Sequence, residues 1–452
     1  MESRFAQLWP AGEFAKFVLP SVMSLITISL YMMVDAVFVS RYAGPMALAA
    51  VNITMPLFNL AIGLAIMTAA GSSAIIGIEL GEKRYESANR HFSLVFCFLL
   101  VMMAMFYLGV KWAGIERIVK LLGASHALAP LCMAYVEVFV YGLCAVLLQL
   151  FFEYFIRLDG KPGFAFLITL ASGLTNVALD YWLIVRMDMG IRGAGIASSA
   201  GILVAAAMGI FYFAFRSARL KLGRPAMAMG FIWRALVNGS SEMVTEISSG
   251  VKLLVFNLMI IQYAGEAGVA AMAVFLNLYF FMSSFHVGLI MGTAPVFSFN
   301  FGAGNFPKIR QLAGQALTAS LGASLLVFAL GQAGTDQIIG WFTRDPEVFA
   351  IASQGFRIFA FAFLVNGITI LASGFFTAVG NGKISALIAG MNSFGFTLGF
   401  AAVLPGFMGI SGVWISVPLA EAAAMAMSIA LFLKFKGVYL CPDMDRPAFS
   451  RC

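Results

Sequence analysis

The sequence predicts an all-α membrane protein: twelve transmembrane helices in two six-helix lobes, related by a pseudo-two-fold axis along the membrane normal. Three observations carry that prediction. Of 452 residues, 61% are hydrophobic and 11% charged, where a soluble domain carries about 25% charged residues. Apolar runs long enough to cross a bilayer, about 20 residues each, recur along the whole chain between Gly, Pro and charge clusters. The two halves also repeat one another.

Taken in order, the runs place spans at 14–39, 48–79, 92–110, 131–156, 164–185, 193–215, 239–263, 268–299, 313–333, 349–377, 384–405 and 410–433. No removable signal peptide is expected, because the first run reaches spanning length and lacks a short core with a small-residue cleavage site. With the N-terminus inside, 19 of the 28 Lys and Arg fall on the inner side and 8 on the outer, leaving Lys252 within a span. That asymmetry makes both termini cytoplasmic, as expected for a multi-pass protein of the plasma (bacterial inner) membrane. The net charge of +7 lies in loops and does not imply nucleic acid. Cys97, Cys132 and Cys144 sit in apolar segments and Cys441 and Cys452 in the tail; neither a disulfide framework nor a CxxC metal pair is indicated.

The basic stretch 216–238 separates six spans from six. It divides the chain into a first lobe at 1–215, a cytoplasmic inter-lobe loop at 216–238, a second lobe at 239–434 and a cytoplasmic tail at 435–452. Tyr42-Ala43-Gly44 recurs as Tyr263-Ala264-Gly265, Ala49-Ala50 as Ala270-Ala271, Gly71 as Gly292 and Gly81 as Gly302, all at an offset of 221. Gly160-Lys161 matches Gly382-Lys383 at 222, and Gly193 matches Gly412 at 219. An even number of spans per unit keeps both halves in one orientation, which predicts a cleft between lobes that rock.

Asp35 is the residue a lipid-facing helix does not need. A carboxylate at membrane depth costs at least about 2.5–3.5 kcal/mol, so it normally faces a bundle interior or a water-filled cavity. Tyr31, four residues earlier, shares its helix face. In the fifth span Asn176 and Asp180 also stand at i,i+4, and Ser198 begins the sixth. All lie in the outer half of the first lobe. Two carboxylates, an amide oxygen and a hydroxyl form an all-oxygen set suited to a hard monovalent cation, with Asp35, Asn176 and Asp180 as the ligands if the ion is Na⁺. The same acids serve a shared proton, because like charges held together favour one bound proton. Under the 221 offset Asp35 corresponds to Phe256, and Asp180 falls opposite 399–402. Acids without counterparts in the repeat point to function rather than shared architecture.

Pro20, Gln149, Glu242, Lys252 and His286 are the further candidates for a substrate cavity or gate. Each also has a plainer reading. Pro20, like Pro56, Pro295 and Pro418, bends a helix by removing a backbone hydrogen bond; a bend at Pro20 links Asp35 to cavity shape, or is a static kink. Gln149 lines the cavity or bonds across helices. Glu242 suits a helix N-terminus by dipole. Lys252 points away from Glu246, six residues earlier, and takes Glu421 as its candidate partner. His286 reads as a satisfied core histidine, and Glu153 with Arg157 as a local i,i+4 salt bridge.

Pro20, the run Leu30–Phe38 around Asp35, Ala47–Ala50, Asn176–Asp180, Gly190–Ser198, Asn238–Glu242, Pro295 and Phe301–Asn305 together resemble the multidrug and toxic compound extrusion (MATE) family, in its DinF/MepA-like branch. The resemblance spans essentially the whole chain. It implies a transporter rather than an enzyme: a monomeric exporter of cationic or amphipathic organic compounds, driven by inward H⁺ or Na⁺ and needing no cofactor. It also implies that Asp35, Asn176 and Asp180 match the ion-binding positions, with Ser198 where relatives often carry Thr and Tyr31 at a polar-network position. Phe256 removes the second-lobe acid that some relatives use. The alternative reading is a flippase of a lipid-linked precursor with the same two-lobed architecture, although only Lys252 supplies a basic group within the spans. An enzyme would need clustered His, Asp or Cys on the short loops, which hold mainly Gly, Lys and Arg.

Overall fold

The computed structural model describes residues 5–343 and 345–440. The end of the expected tail, with Cys441 and Cys452, lies outside the described residues, as do Arg4, Arg344, Arg446 and Arg451. In chain order the helices are α1 (Ala11–Phe38), α2 (Pro45–Gly81), α3 (Tyr85–Ala113), the short α4 (Ile115–Leu121), α5 (Ala129–Leu158), α6 (Pro162–Asp180) and α7 (Gly190–Phe215). They continue as α8 (Met229–Asn238), α9 (Ser240–Gly302), α10 (Phe306–Ala333), α11 (Thr335–Phe342), α12 (Pro346–Phe359) and α13 (Ala362–Ala378). The last are α14 (Gly382–Gly390), α15 (Leu398–Val403), α16 (Pro405–Met408) and α17 (Ile410–Tyr439). Wider π turns extend α1 through Val39–Ala43 and α6 through Tyr181–Arg186, and join α14 to α15 through Met391–Thr397.

Ten of the described helical segments are long and apolar enough to cross a membrane, and α12 with α13, bent by 51°, makes an eleventh crossing. The 63 residues of α9 would run about 95 Å at 1.5 Å per residue, three times the hydrocarbon thickness of about 30 Å. The helix breaks at Gly265 (φ 57°, ψ −154°) and so crosses twice. Twelve crossings result, as expected. Two features differ from expectation. The tenth span is broken at Ala360–Phe361 rather than continuous. The basic stretch 216–238 is half helical, because Phe231, Ile232 and Ala235 place an apolar stripe on one face of α8 and bury it.

Helix ends follow local chemistry. Proline stands in the first turn of α2, α5, α6, α10 and α12, where its missing N–H costs nothing. Asn305, Asp345 and Asn381 cap helices by accepting from backbone N–H groups. The stops also carry the internal repeat. Positive φ is rare outside glycine, yet it recurs at Gly44 and Gly265 (97° and 57°), Lys83 and Gly304 (62° and 67°), and Gly190 and Gly409 (54° and 59°); Gly160 pairs in this way with Gly380 (83° and 81°) rather than with Gly382, which starts a helix, so the expected match there is two residues out of register. The two halves turn at equivalent places.

By packing, the chain forms two compact units: Met23–Gly239, and the described residues of Met1–Val22 together with those of Ser240–Cys452. The division falls within α1, two residues after Pro20, so residues 5–22 pack with the second half rather than inside the expected 1–215 segment.

In the unit of Met23–Gly239, α5 is central. Without a hydrophobic drive between helices in lipid, small residues that admit close approach decide packing. Gly142 lies against Ser199 and Gly195 against Val138; a Cβ on Gly209 would fall 2.3 Å from the Phe152 ring. Phe92, Phe151, Phe155 and Phe213 form the aromatic core, with ring centroids 4.6–5.3 Å apart.

In the other unit, Phe256, Phe275, Phe356, Phe359, Phe363 and Trp414 make the core. Gly288 and Gly292 of α9 admit Val22 and Val18, and Asn300 Nδ2 donates to the Phe5 carbonyl at 3.0 Å. Trp9 covers the Lys308 ammonium, 3.9 Å from the ring centroid.

Candidate functional site

All five expected ion-coupling residues lie in the unit of Met23–Gly239. The α1 face that carries Tyr31 and Asp35 turns inward, while Met33 and Val37 on its other side are exposed. Tyr31 seats its ring on Gly173 of α6, where a Cβ would come within 2.8 Å of it. Helical spacing then brings Asp35 to the level of the next turns of α6. Its carboxyl lies close to Asp180 and to the Asn176 amide and is electrostatically coupled to them. Asp180 is wholly buried and Asn176 nearly so. Asn176 Nδ2 donates to Ser198 Oγ at 3.3 Å, which draws α7 into the cluster.

Two carboxyls hydrogen-bond only when one holds a proton. Otherwise Asp35 Oδ1, both Asp180 oxygens and Asn176 Oδ1 are buried without a donor. Unsatisfied buried acceptors of this kind are costly, and a proton or a small cation satisfies them. The residues present therefore fit either ion. Tyr135 of α5 was missed in the sequence. It is buried near Ser198 and lies in the field of both acids. An aromatic amid the apolar α5 gives no signal of its own; only the α5–α7 packing at Gly195, which meets the Tyr135 carbonyl, brings it in.

A second buried polar network adjoins the first. Glu153 accepts from Gln149 Nε2 at 3.1 Å, Thr169 Oγ1 at 3.2 Å and Arg157 Nη2 at 3.3 Å, and Arg157 reaches Ser24 Oγ at 3.5 Å. The expected i,i+4 pair is present, yet no more than 2% of either side chain is exposed. Gln149 bonds within its own helix rather than across helices. Tyr31 connects the two networks electrostatically, lying in the field of both Glu153 and Asp35.

The remaining candidates lie in the other unit. Pro20 is inside α1 and Glu242 in the first turn of α9, where an acid suits the dipole. His286 Nε2 faces Ser324 Oγ at 3.1 Å and its ring packs on Gly367, while its Nδ1 is buried without a partner, so the core histidine expected is only half satisfied. Lys252 makes no ion pair within 4.0 Å among the described residues, although Glu421 and Glu246 both act on it electrostatically. Glu421 is instead held by Tyr279 Oη at 2.6 Å and Asn392 Nδ2 at 3.3 Å. Those two partners were not legible in sequence, because they come from two other spans. Among the described residues no group of three or more His, Cys, Asp or Glu could hold a metal.

Twelve helical crossings around a buried polar cluster are the layout of a polytopic membrane protein. A family model described as MatE matches residues 20–182 and 243–403. The chain belongs to the MATE family, whose members are transporters and not enzymes. It is similar to the multidrug export protein MepA of Staphylococcus aureus (strain MSSA476), 25% identical over 427 residues and 92% of each chain. A MepA from Staphylococcus saprophyticus is 24% identical over 431 residues, again 92% of each. Among solved structures, a mutant of the Vibrio cholerae MATE transporter VcmN superposes with a TM-score of 0.88 at 21% identity, covering 94% of this chain and 97% of that one. A MOP superfamily transporter from Pyrococcus furiosus gives 0.89 at 19% identity, covering 96% and 98%. These structural likenesses concern the fold.

Proposed function

We propose that the protein is a secondary active antiporter that exports cationic or amphipathic compounds in exchange for H⁺ or Na⁺, with Asp35 and Asp180 as its ion-coupling acids. One observation supports this most: two carboxyls, an amide and a hydroxyl from three helices converge in a buried site where Asp35 Oδ1, both Asp180 oxygens and Asn176 Oδ1 lack donors. Two adjacent carboxylates in a low-dielectric interior repel unless a proton or cation sits with them. Ion arrival thus changes the net charge of the site, which is what a coupling element needs. Asn176 and Ser198 supply further ligands, Tyr31 and Tyr135 hold the acids' surroundings, and Pro20 gives α1 a place to bend.

Export follows when the ion and the organic compound each favour a different arrangement of the lobes, 1–215 and 239–434, since a ligand shifts an equilibrium only by its differential affinity. The names of the MepA relatives favour drugs as the exported compounds. The reading includes a monomer in the bacterial inner membrane, among its lipids, with the loop 216–238 and both termini cytoplasmic.

The test is efflux of a fluorescent organic cation from proteoliposomes under an imposed Na⁺ gradient and, separately, a pH gradient. Wild type responds to at least one gradient and Asp35→Asn to neither, at equal protein abundance. Normal transport by Asp35→Asn sinks the assignment.

A further inference from the structure

We propose that residues 216–234 and the first turns of α3 form a binding site for the phosphate head group of an anionic phospholipid at the membrane–water boundary. The segment is a built surface, not a slack tether. Its backbone is pinned at five places: Ala218 N and Arg219 N donate to Asp159 at 3.1 and 3.0 Å, Lys221 N to Asn89 Oδ1 at 2.7 Å, Gly223 N to Ser93 Oγ at 2.9 Å, and Ala226 N to the Arg90 carbonyl at 3.2 Å.

α8 is fixed as firmly. Phe231 stacks on His91 with centroids 4.0 Å apart, and Asn238 Nδ2 donates to the Gly71 carbonyl at 3.2 Å. A Cβ on Gly71 would fall 2.0 Å from the Ala235 carbonyl oxygen, and one on Gly239 1.9 Å from that of Met67, so α8 and α2 touch backbone to backbone.

On this rigid frame the cations are left over. Arg90, Lys221 and Arg224 are exposed and form no ion pair among the described residues. Arg90 and Arg224 line a cavity of about 430 Å³ with Glu86, Asn89 and Gly223. Two guanidinium groups against one carboxylate leave the cavity positive, with Lys221 next to it in the chain, and guanidinium groups recognise phosphate oxygens in pairs. The rim selects a lipid rather than a soluble anion. Leu222, Met227, Met229 and Trp233, in the same segment as Lys221 and Arg224, are 43%, 100%, 73% and 69% exposed. Apolar side chains and a tryptophan adjoining basic groups are the composition of a membrane-interface anchor.

The experiment uses the full chain in nanodiscs of mixed phosphatidylglycerol and phosphatidylcholine, with retained lipid read by native mass spectrometry. Wild type enriches phosphatidylglycerol, and raising salt weakens the enrichment. The triple variant Arg90→Gln, Lys221→Gln, Arg224→Gln loses the preference by about tenfold or more, whereas Arg90→Lys with Arg224→Lys keeps most of it. Unchanged melting of the triple variant shows that the frame is intact; if it does not fold, Arg224→Gln alone is read the same way. Equal phosphatidylglycerol retention by wild type and the neutralised variant overturns the proposal. So does equal retention of both lipids by wild type, or full displacement of the lipid by inorganic phosphate. The readout is binding, so it stands or falls apart from the antiport reading.

Discussion

Replacing Glu153 by Gln takes one charge from an ion pair whose side chains are no more than 2% exposed. The substitution keeps the shape and can still satisfy Thr169 or Gln149, but it presents an amide to Arg157 where a carboxylate stood. Removing one partner of a buried pair costs about 3–5 kcal/mol, because the remaining charge stays desolvated. We expect Glu153→Gln and Arg157→Met each to destabilise by that amount. The double variant Glu153→Leu with Arg157→Met should recover most of the loss, since both desolvation costs vanish together. The pair Glu137–Arg192 is the internal control: it has the same kind of contact at 3.2 Å in the same unit, but is 56% and 60% exposed. Glu137→Gln should therefore cost no more than about 1 kcal/mol. Unfolding in detergent, followed by a thiol-reactive dye on the buried Cys132 and Cys144, measures all four. A Glu153→Gln cost no larger than the Glu137→Gln cost, or a double variant no more stable than Arg157→Met alone, would refute the reasoning.

Asp180→Asn should abolish ion-driven efflux as Asp35→Asn does, with either single variant as inactive as the double, measured in the same proteoliposomes. Tyr135→Phe keeps the ring and removes the hydroxyl that lies near Ser198; it should leave folding intact and weaken ion affinity by several-fold, read from the ion dependence of efflux. Gly71→Ala and Gly239→Ala drive a Cβ into backbone oxygens at 2.0 and 1.9 Å and should cost about 1–3 kcal/mol or more, whereas Gly12→Ala, with open space around it, should be silent by the same melting assay. Tyr279→Phe removes the 2.6 Å donor from the buried Glu421 and should cost about 1.5–3 kcal/mol.

Span positions were legible because hydrocarbon thickness and the absence of water leave a helix of fixed minimum length as nearly the only solution. The repeat was legible because glycine is required where φ turns positive, as at Gly44 and Gly265. Asp35, Asn176 and Asp180 stood out because acids and amides are conspicuous in apolar runs. Tyr135 did not, since an aromatic in an apolar helix looks like core until its neighbours are known. The same holds for Thr169 and Ser24 around Glu153. The break of α12 from α13 carries no proline or paired glycine at Ala360–Phe361, so local chemistry gave no warning of it. Nor did hydropathy show that residues 5–22 pack with the second half; that depends on Gly288 and Gly292, almost three hundred residues away.

The π turns beyond Asp35 and Asp180 have a mechanical corollary. Each holds one surplus residue relative to α geometry, immediately after Asp180 and four residues after Asp35. Passing that surplus along a helix turns each side chain it passes through roughly 100° about the axis without uncoiling it. The two acid-bearing helices thus come with slack wound in beside their charges, and re-aiming a carboxylate there takes a shuffle of backbone partners instead of a rupture.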